Sequence, residues 1–218
     1  MPSYKKHVIF SFIMILPFIN SPITPFFAII GSMLPDLDHV VKKKKTISII
    51  IVGLLFLTLS YFYKKLIFIS CSLLSLGLFF YFSKHRGISH SLFGTIFIPT
   101  LLTIFIFYVQ NFFQHKIANI LVLLFLVAIV FKLRFLPFFA LYLFLFEKSC
   151  LNLTFMDIFL PLSIGYLSHI ILDGFTPHGI KFLYPLSKKR FKKGLSIILL
   201  ILWIVYSYKL LLTKFPAS

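Results

Sequence analysis

The stretch 7–39, HVIFSFIMILPFINSPITPFFAIIGSMLPDLDH, decides how the rest of the chain is read. Residues 8–34 are apolar but carry Pro17, Asn20, Pro22 and Pro25, too many helix breakers for one straight helix. The spacing predicts two short helices folded back as a hairpin, a path tolerated at bilayer depth only where protein or water covers the freed backbone groups. Such a hairpin returns Asp36, Asp38 and His39 to the side on which His7 starts. The segment follows Lys5 and Lys6 but shows no Ala-x-Ala-like cleavage site, so it is expected to be retained rather than removed as a signal peptide.

Composition points to a membrane. Of 218 residues, 60% are hydrophobic, 30 are Phe and only 12% are charged, with a mean hydropathy of +1.02; soluble domains do not look like this. Further apolar runs fall at 46–63, 66–82, 91–109, 117–131, 135–146, 153–172 and 195–212. Several are shorter than the roughly 20 residues that cross a bilayer upright. The expected fold is all-α: a polytopic transmembrane helical bundle with a broken N-terminal hairpin and a polar site at the cytoplasmic rim. One integral membrane domain is expected over 1–218, with inserted helical hairpins at 46–83 and 115–150.

A net charge of +17 would suggest nucleic acid in a soluble protein. Here the basic residues lie in short connections, where topology and anionic headgroups account for them, and no specific nucleic-acid partner is expected. With the N-terminus in the cytoplasm, the first run folded back and each later run crossing once, 16 of the 22 basic residues fall inside. The same parity brings His7 and the polar islands 35–39, 85–91 and 169–173 to the cytoplasmic face. If 117–131 and 135–146 both fail to span, parity is preserved. Cys71 and Cys150 are isolated and expected to be free thiols.

The chain holds five acidic residues, and a carboxylate near a membrane is costly unless paired, ligated or wet. Asp36, Asp38 and Asp173 sit in the islands beside histidines. His169 and Asp173 are four apart and share a helix face, which suits two ligands of one ion, or a ligand and its orienting carboxylate. His85-Arg86-Gly87-Ile88-Ser89-His90-Ser91 opens a helix, with Ser89 or Ser91 as N-cap, Gly87 permitting the turn and Arg86 placed to clamp an anion. Thr176 is placed to bond a ligand or cap the next segment. A proton relay or a polar helix end beside the lysines at 42–45 would explain any one island. Together His7, Asp36, Asp38, His39, His85, His90, His169 and Asp173 offer eight nitrogen or oxygen donors and no thiolate, enough for two metal ions. That donor set suits zinc, with manganese or iron as alternatives. No Gly-x-Ser-x-Gly elbow marks a serine nucleophile. His115 reads as loop, and His178 has no comparable context.

In this order, His7, Leu34-Pro35-Asp36-Leu37-Asp38-His39, His85 through Ser91, and Gly165-Tyr166-Leu167-Ser168-His169 through Asp173, Thr176-Pro177, Gly179 and Pro185 resemble the YdjM-like family of membrane-bound metal-dependent hydrolases. The resemblance implies a multi-pass protein of a bacterial inner membrane or archaeal plasma membrane, with a divalent metal as cofactor. The family has been grouped with zinc-dependent phospholipase C and the P1-type nucleases, whose His-x-x-x-Asp pair His169 and Asp173 match. An N-terminal Trp ligand and a second His-x-x-x-Glu pair are missing, which counts against a three-zinc site. The expected reaction is hydrolysis of a phosphoester in a phospholipid or lipid-linked substrate by a metal-activated water. Asp36 or Asp38 would orient that water as base while the other binds metal, and Arg86 would stabilise developing charge. Membrane lipids are the expected partners, and no oligomeric state is implied. The competing readings are an ion- or proton-coupled transporter, favoured by the broken first helix but lacking an inverted repeat, and a metal-stabilised scaffold without catalysis.

Overall fold

A computed structural model describes residues 3–39, 42–113, 116–150 and 153–214; His115 lies outside them. The described residues form α1 (Tyr4–Ile15), α2 (Ile23–Met33), α3 (Lys43–Leu59), α4 (Leu66–Phe82), α5 (Leu92–Phe113), α6 (Lys116–Val130), α7 (Leu136–Leu145), α8 (Phe155–Gly174) and α9 (Lys193–Lys214). Among them there is no strand, only an isolated bridge between Ile180 and Phe191. This is the all-helical bundle expected from the apolar runs. Cys71 and Cys150 are free.

The helix breakers do what their chemistry predicts. Pro17 sits in a 3-10 turn, Leu16–Phe18, and Pro22 precedes α2, so the first apolar run becomes a hairpin. Asn20 at its tip accepts a hydrogen bond from Thr24 Oγ1 at 2.6 Å and donates one to Asp157 Oδ1 at 3.5 Å. Asp157 also completes a capping box with Thr154 at the start of α8, satisfying helix N–H groups left open there. The tip is thus tied to one end of α8, while the two free ends of the hairpin lie at the other. On the outer side, Trp203 of α9 donates to the Met14 carbonyl at 3.1 Å.

Helices α2 and α8 meet backbone to backbone. A Cβ on Gly31 would overlap the Leu162 carbonyl, and one on Gly165 would overlap the Ala28 carbonyl. Small residues at such a crossing let two backbones meet. Phe26, Phe27, Ile30, Leu162, Tyr166 and Ile170 fill the core around it.

Among the described residues, three helices are long and apolar enough to cross a membrane: Leu92–Phe113, Phe155–Gly174 and Lys193–Thr213. Leu66–Phe82, Asn119–Val130 and Leu133–Leu145 are shorter apolar segments. At 1.5 Å per residue, α1 and α2 reach roughly 16–18 Å, about half of a ~30 Å hydrocarbon core. Beside this core, α3 and α4 pack on each other, with Ser70 Oγ donating to the Gly53 carbonyl at 2.8 Å. Lys45, in the first turn of α3, donates to the Ala128 and Phe131 carbonyls at the end of α6, where a cation complements the helix dipole.

Candidate metal centre

His7 from the first turn of α1, the 3-10 turn Pro35–Asp38 after α2, the segment 85–91 before α5 and the last turns of α8 converge at one end of the bundle. Convergence follows from the hairpin: α1 begins, α2 ends, α5 begins and α8 ends there. Which hydrogens each group carries then separates two kinds of histidine–carboxylate contact.

Asp38 is buried, and both its oxygens receive hydrogens. Oδ1 is 2.7 Å from His85 Nδ1. Oδ2 accepts from Ser89 Oγ at 2.5 Å and lies 3.3 Å from His90 Nδ1. Ser89 spends its hydroxyl hydrogen on the carboxylate, so its oxygen can only accept from His90 Nδ1, 3.1 Å away. In the neutral ring the proton of His90 therefore sits on Nδ1, and Nε2 carries a lone pair. Burial opposes ionisation of Asp38, yet the hydrogen bonds from His85, His90 and Ser89 together hold its carboxyl below the usual carboxylate range. The hydrogen bond to Asp38 in turn raises His85 above an ordinary imidazole, against the opposing effect of burial. Tyr166 donates to the Ser89 carbonyl at 2.5 Å and fixes this segment from α8.

Asp173 has different surroundings. His169 Nδ1 is 2.6 Å from the Ser32 carbonyl, which only accepts, so Nδ1 is protonated and Nε2 presents a lone pair. That atom is 3.7 Å from Asp173 Oδ2 and 3.6 Å from Asp36 Oδ1. His90 Nε2 is 3.5 Å from Asp173 Oδ2, and His7 Nε2 is 3.7 Å from Oδ1. The His7 and His169 rings stack with centroids 3.9 Å apart. His90 Nε2, His169 Nε2 and Asp173 Oδ2 are all buried with no hydrogen-bond partner. Acceptors thus face acceptors, at separations too long for hydrogen bonds and near the ~3.4 Å between two ligands of a tetrahedral ion with bonds of about 2.1 Å. Two groups of donors meet at His169, one of His7, His169 and Asp173 and one of Asp36, His90 and His169, each with its ligand atoms within 4.8 Å of one another, and each fits a divalent cation on this ground.

The structure gives these side chains distinct surroundings. Asp38, expected as ligand or base, also lies close enough to His85 and His90 to form a donor group with them, but its oxygens are taken up in hydrogen bonds that set the tautomers of those histidines. His85 groups with Asp38 and His90, and His39 is in none of the three groups. The His39 ring meets His85 edge-on, with centroids 5.0 Å apart, and both line a cleft of ≈ 380 Å³ with Arg86, His178, Lys181 and Arg190. Ser91, not Ser89, caps α5: its Oγ accepts from the Gly94 N–H at 3.3 Å. The left-handed residue of the turn is Arg86, at φ 58°, rather than Gly87; Gly87 is needed because a Cβ would lie 2.7 Å from the Lys84 carbonyl oxygen. The strained backbone aims Arg86 inward. Its Nη2 is 3.7 Å from Asp173 Oδ2, and Nη1 donates to Thr176 Oγ1 at 3.4 Å. Thr176 also closes the end of α8 by donating to the Asp173 carbonyl at 2.7 Å.

Ser32, Ser89 and Tyr166 join the site in ways that their positions in the sequence do not announce. Ser32 acts through its backbone, so no side-chain signal could mark it. The small residues at 28, 31, 165 and 168, spaced to let α2 meet α8, are the one pattern from which that contact could be found.

Fold and site together define a polytopic helical membrane protein with a buried histidine–aspartate cluster at one rim. The chain belongs to the YdjM inner membrane protein family, whose model matches residues 1–215. No curated protein and no solved structure matches the chain.

Proposed function

We propose that this chain is a metal-dependent hydrolase that cleaves a phosphoester, in a phospholipid or lipid-linked substrate, at the cytoplasmic rim of the membrane. The observation that carries the reading is the facing of unprotonated His90 Nε2 and His169 Nε2 onto Asp173 and Asp36, with no hydrogen available between them. Burying such groups is costly unless a cation completes them. A single ion is assigned, because the groups His7/His169/Asp173 and Asp36/His90/His169 share His169, while the oxygens of Asp38 are engaged by His85, Ser89 and His90. Zinc suits the imidazole-rich set, and manganese or iron share the preference for nitrogen and oxygen. When bound, such an ion supplies Lewis-acid activation of water and neutralises charge at phosphorus.

The protein's own groups then have distinct tasks. Arg86 has buried Nε and Nη2 atoms without hydrogen-bond partners, donors placed to hold a phosphoryl oxygen bidentately. Asp36 is the partly exposed carboxylate of the cluster and takes the role of ligand or water-orienting base, while Asp38 holds His85 and His90. His85 lines the basic cleft with its ring held by Asp38 and its Nε2 without a hydrogen-bond partner, a group able to pass a proton to a leaving oxygen. The cytoplasmic placement is supported by the lysines and arginines at 42–45, 84–86, 132–134 and 188–193, which occupy the ends and connections on the side of the cluster.

Metal analysis of the purified protein beside His169→Ala, followed by a turnover screen of phosphodiesters and phospholipids, tests the proposal. Bound metal lost in the variant, with turnover lost in parallel, is expected. Metal-free wild type, or chelator-induced unfolding with no turnover of any phosphoester, would overturn it, the second result leaving a metal-held scaffold.

A further inference from the structure

An apolar groove of ≈ 510 Å³ runs between α1, α2 and α7, a volume typical of small-molecule sites. One wall is the α1 stripe Tyr4, Val8 and Phe12; the other is Pro25, Phe26 and Ile29 of α2, with Phe131, Phe135, Phe138, Phe139 and Tyr142 closing the far side. Tyr4, Phe131 and Phe135 also line a second recess, whose remaining walls include Met33, Asp36, Lys42 and Lys132. The α2 face therefore leads from Pro25 through Ile29 and Met33 to Asp36, a carboxylate of the metal cluster. From Pro25 to Asp36 the rise is roughly 16 Å, the depth of one leaflet of a ~30 Å core. The basic cleft of His39, His85, Arg86, His178, Lys181 and Arg190 shares no lining residue with either recess.

We propose that this groove holds one hydrocarbon chain of an anionic phospholipid drawn sideways from the bilayer, seating its phosphate head between Lys42, Lys132 and Asp36 beside the metal cluster. The inference rests on the hydrolase reading for its consequence but not for its test. Groove and recess are complementary to an amphiphile: the deep part is apolar, and cations appear only at the rim, with Lys5 at the mouth. The basic cleft, which Arg86 joins to the metal cluster, then forms a second, aqueous mouth through which a water-soluble product leaves. A soluble phosphoester would have no use for an apolar channel ending at Asp36.

The test uses the purified full-length chain in phosphatidylcholine nanodiscs containing a trace of phosphatidic acid with a chain-terminal diazirine. A matching phosphatidylcholine probe serves as comparison, and metal content is measured on the same samples. Adducts are expected at Ile9, Phe12 and Phe138, favouring the phosphatidic acid probe. Ile29→Trp or Val8→Trp, each filling the groove from a different wall, is expected to cut them roughly tenfold, whereas Ile201→Trp on α9 leaves them unchanged. Lys42→Gln with Lys132→Gln removes the preference for the anionic head, and glycerol 3-phosphate does not compete. Adducts spread evenly over α9 and the groove, insensitivity to both groove-filling variants, or displacement by glycerol 3-phosphate would overturn the proposal. Groove labelling in a metal-free protein would leave it standing while removing the hydrolase reading, and bound metal without groove labelling would do the reverse.

Discussion

Asp38 and Asp173 are both buried carboxylates among histidines at the same rim, yet they solve burial differently. Around Asp38 the hydrogens of His85, Ser89 and His90 fill its acceptor positions. Around Asp173 the nearest imidazole nitrogens include lone pairs, and Arg86 stands 3.7 Å off. A histidine beside an aspartate is thus not in itself a metal site; the distribution of protons decides. The two clusters are joined through His90, whose Nδ1 belongs to Asp38 and whose Nε2 belongs to Asp173. Partners of this kind orient ligands and tune affinity.

The largest effect that would break this contrast comes from the helix crossing. Gly165→Ala forces a methyl group into the Ala28 carbonyl, and overpacking of this kind costs ~1–3 kcal/mol. It also parts Ser32 from His169, so thermal unfolding should come at lower temperature and metal affinity should fall together. Unchanged affinity would show that the Ser32 carbonyl does not set the His169 tautomer.

Next in size is Ser89→Ala, which strips a donor from buried Asp38 and an acceptor from His90, at a cost of ~1–3 kcal/mol. Metal affinity, measured by competition with a chromophoric chelator, should drop at least about tenfold. Ser91→Ala is its control: losing the cap of α5 costs ~1 kcal/mol without touching the tautomer of His90, so affinity should hold. Equal affinities in the two variants would dissolve the distinction between capping and orienting serines.

The smallest effect is one of titration. His85 is raised above its unperturbed value of 6.5, with the Asp38 hydrogen bond the largest cause, so its stabilising contribution is full below that value and fades as pH rises through the raised one. Asp38 is depressed from 3.8, so its contribution is present above that value and fails only in acid. The pair is strongest between these limits. In Asp38→Asn, a histidine NMR titration should show His85 moving down. No movement would mean that Asp38 is not its partner.

Much of the site was legible in the sequence because few polar residues interrupt the apolar background. Pro17, Asn20 and Pro22 lie in the break between α1 and α2, with Pro25 already in the first turn of α2, and the hairpin brought Asp36 back to His7. His169 and Asp173 share a face at four-residue spacing, as any helix requires. What stayed hidden depends on atoms without a side-chain signature. The Ser32 carbonyl fixes His169, and the proton traffic through Ser89 removes Asp38 from the cluster. Three-dimensional placement, not composition, takes His39 and His85 into a basic cleft with His178, Lys181 and Arg190, residues of the irregular segment after α8. Likewise Arg86 rather than the neighbouring glycine adopts the left-handed conformation, because Gly87 is needed for the closeness of the Lys84 carbonyl.

Metal stoichiometry at saturating zinc in Asp173→Asn and Asp38→Asn, measured side by side with wild type by elemental analysis, tests the division between the two carboxylates most directly. One ion in wild type, none in Asp173→Asn, and one ion held about 10–100-fold more weakly in Asp38→Asn is the predicted result. Full occupancy in Asp173→Asn together with loss in Asp38→Asn would contradict it.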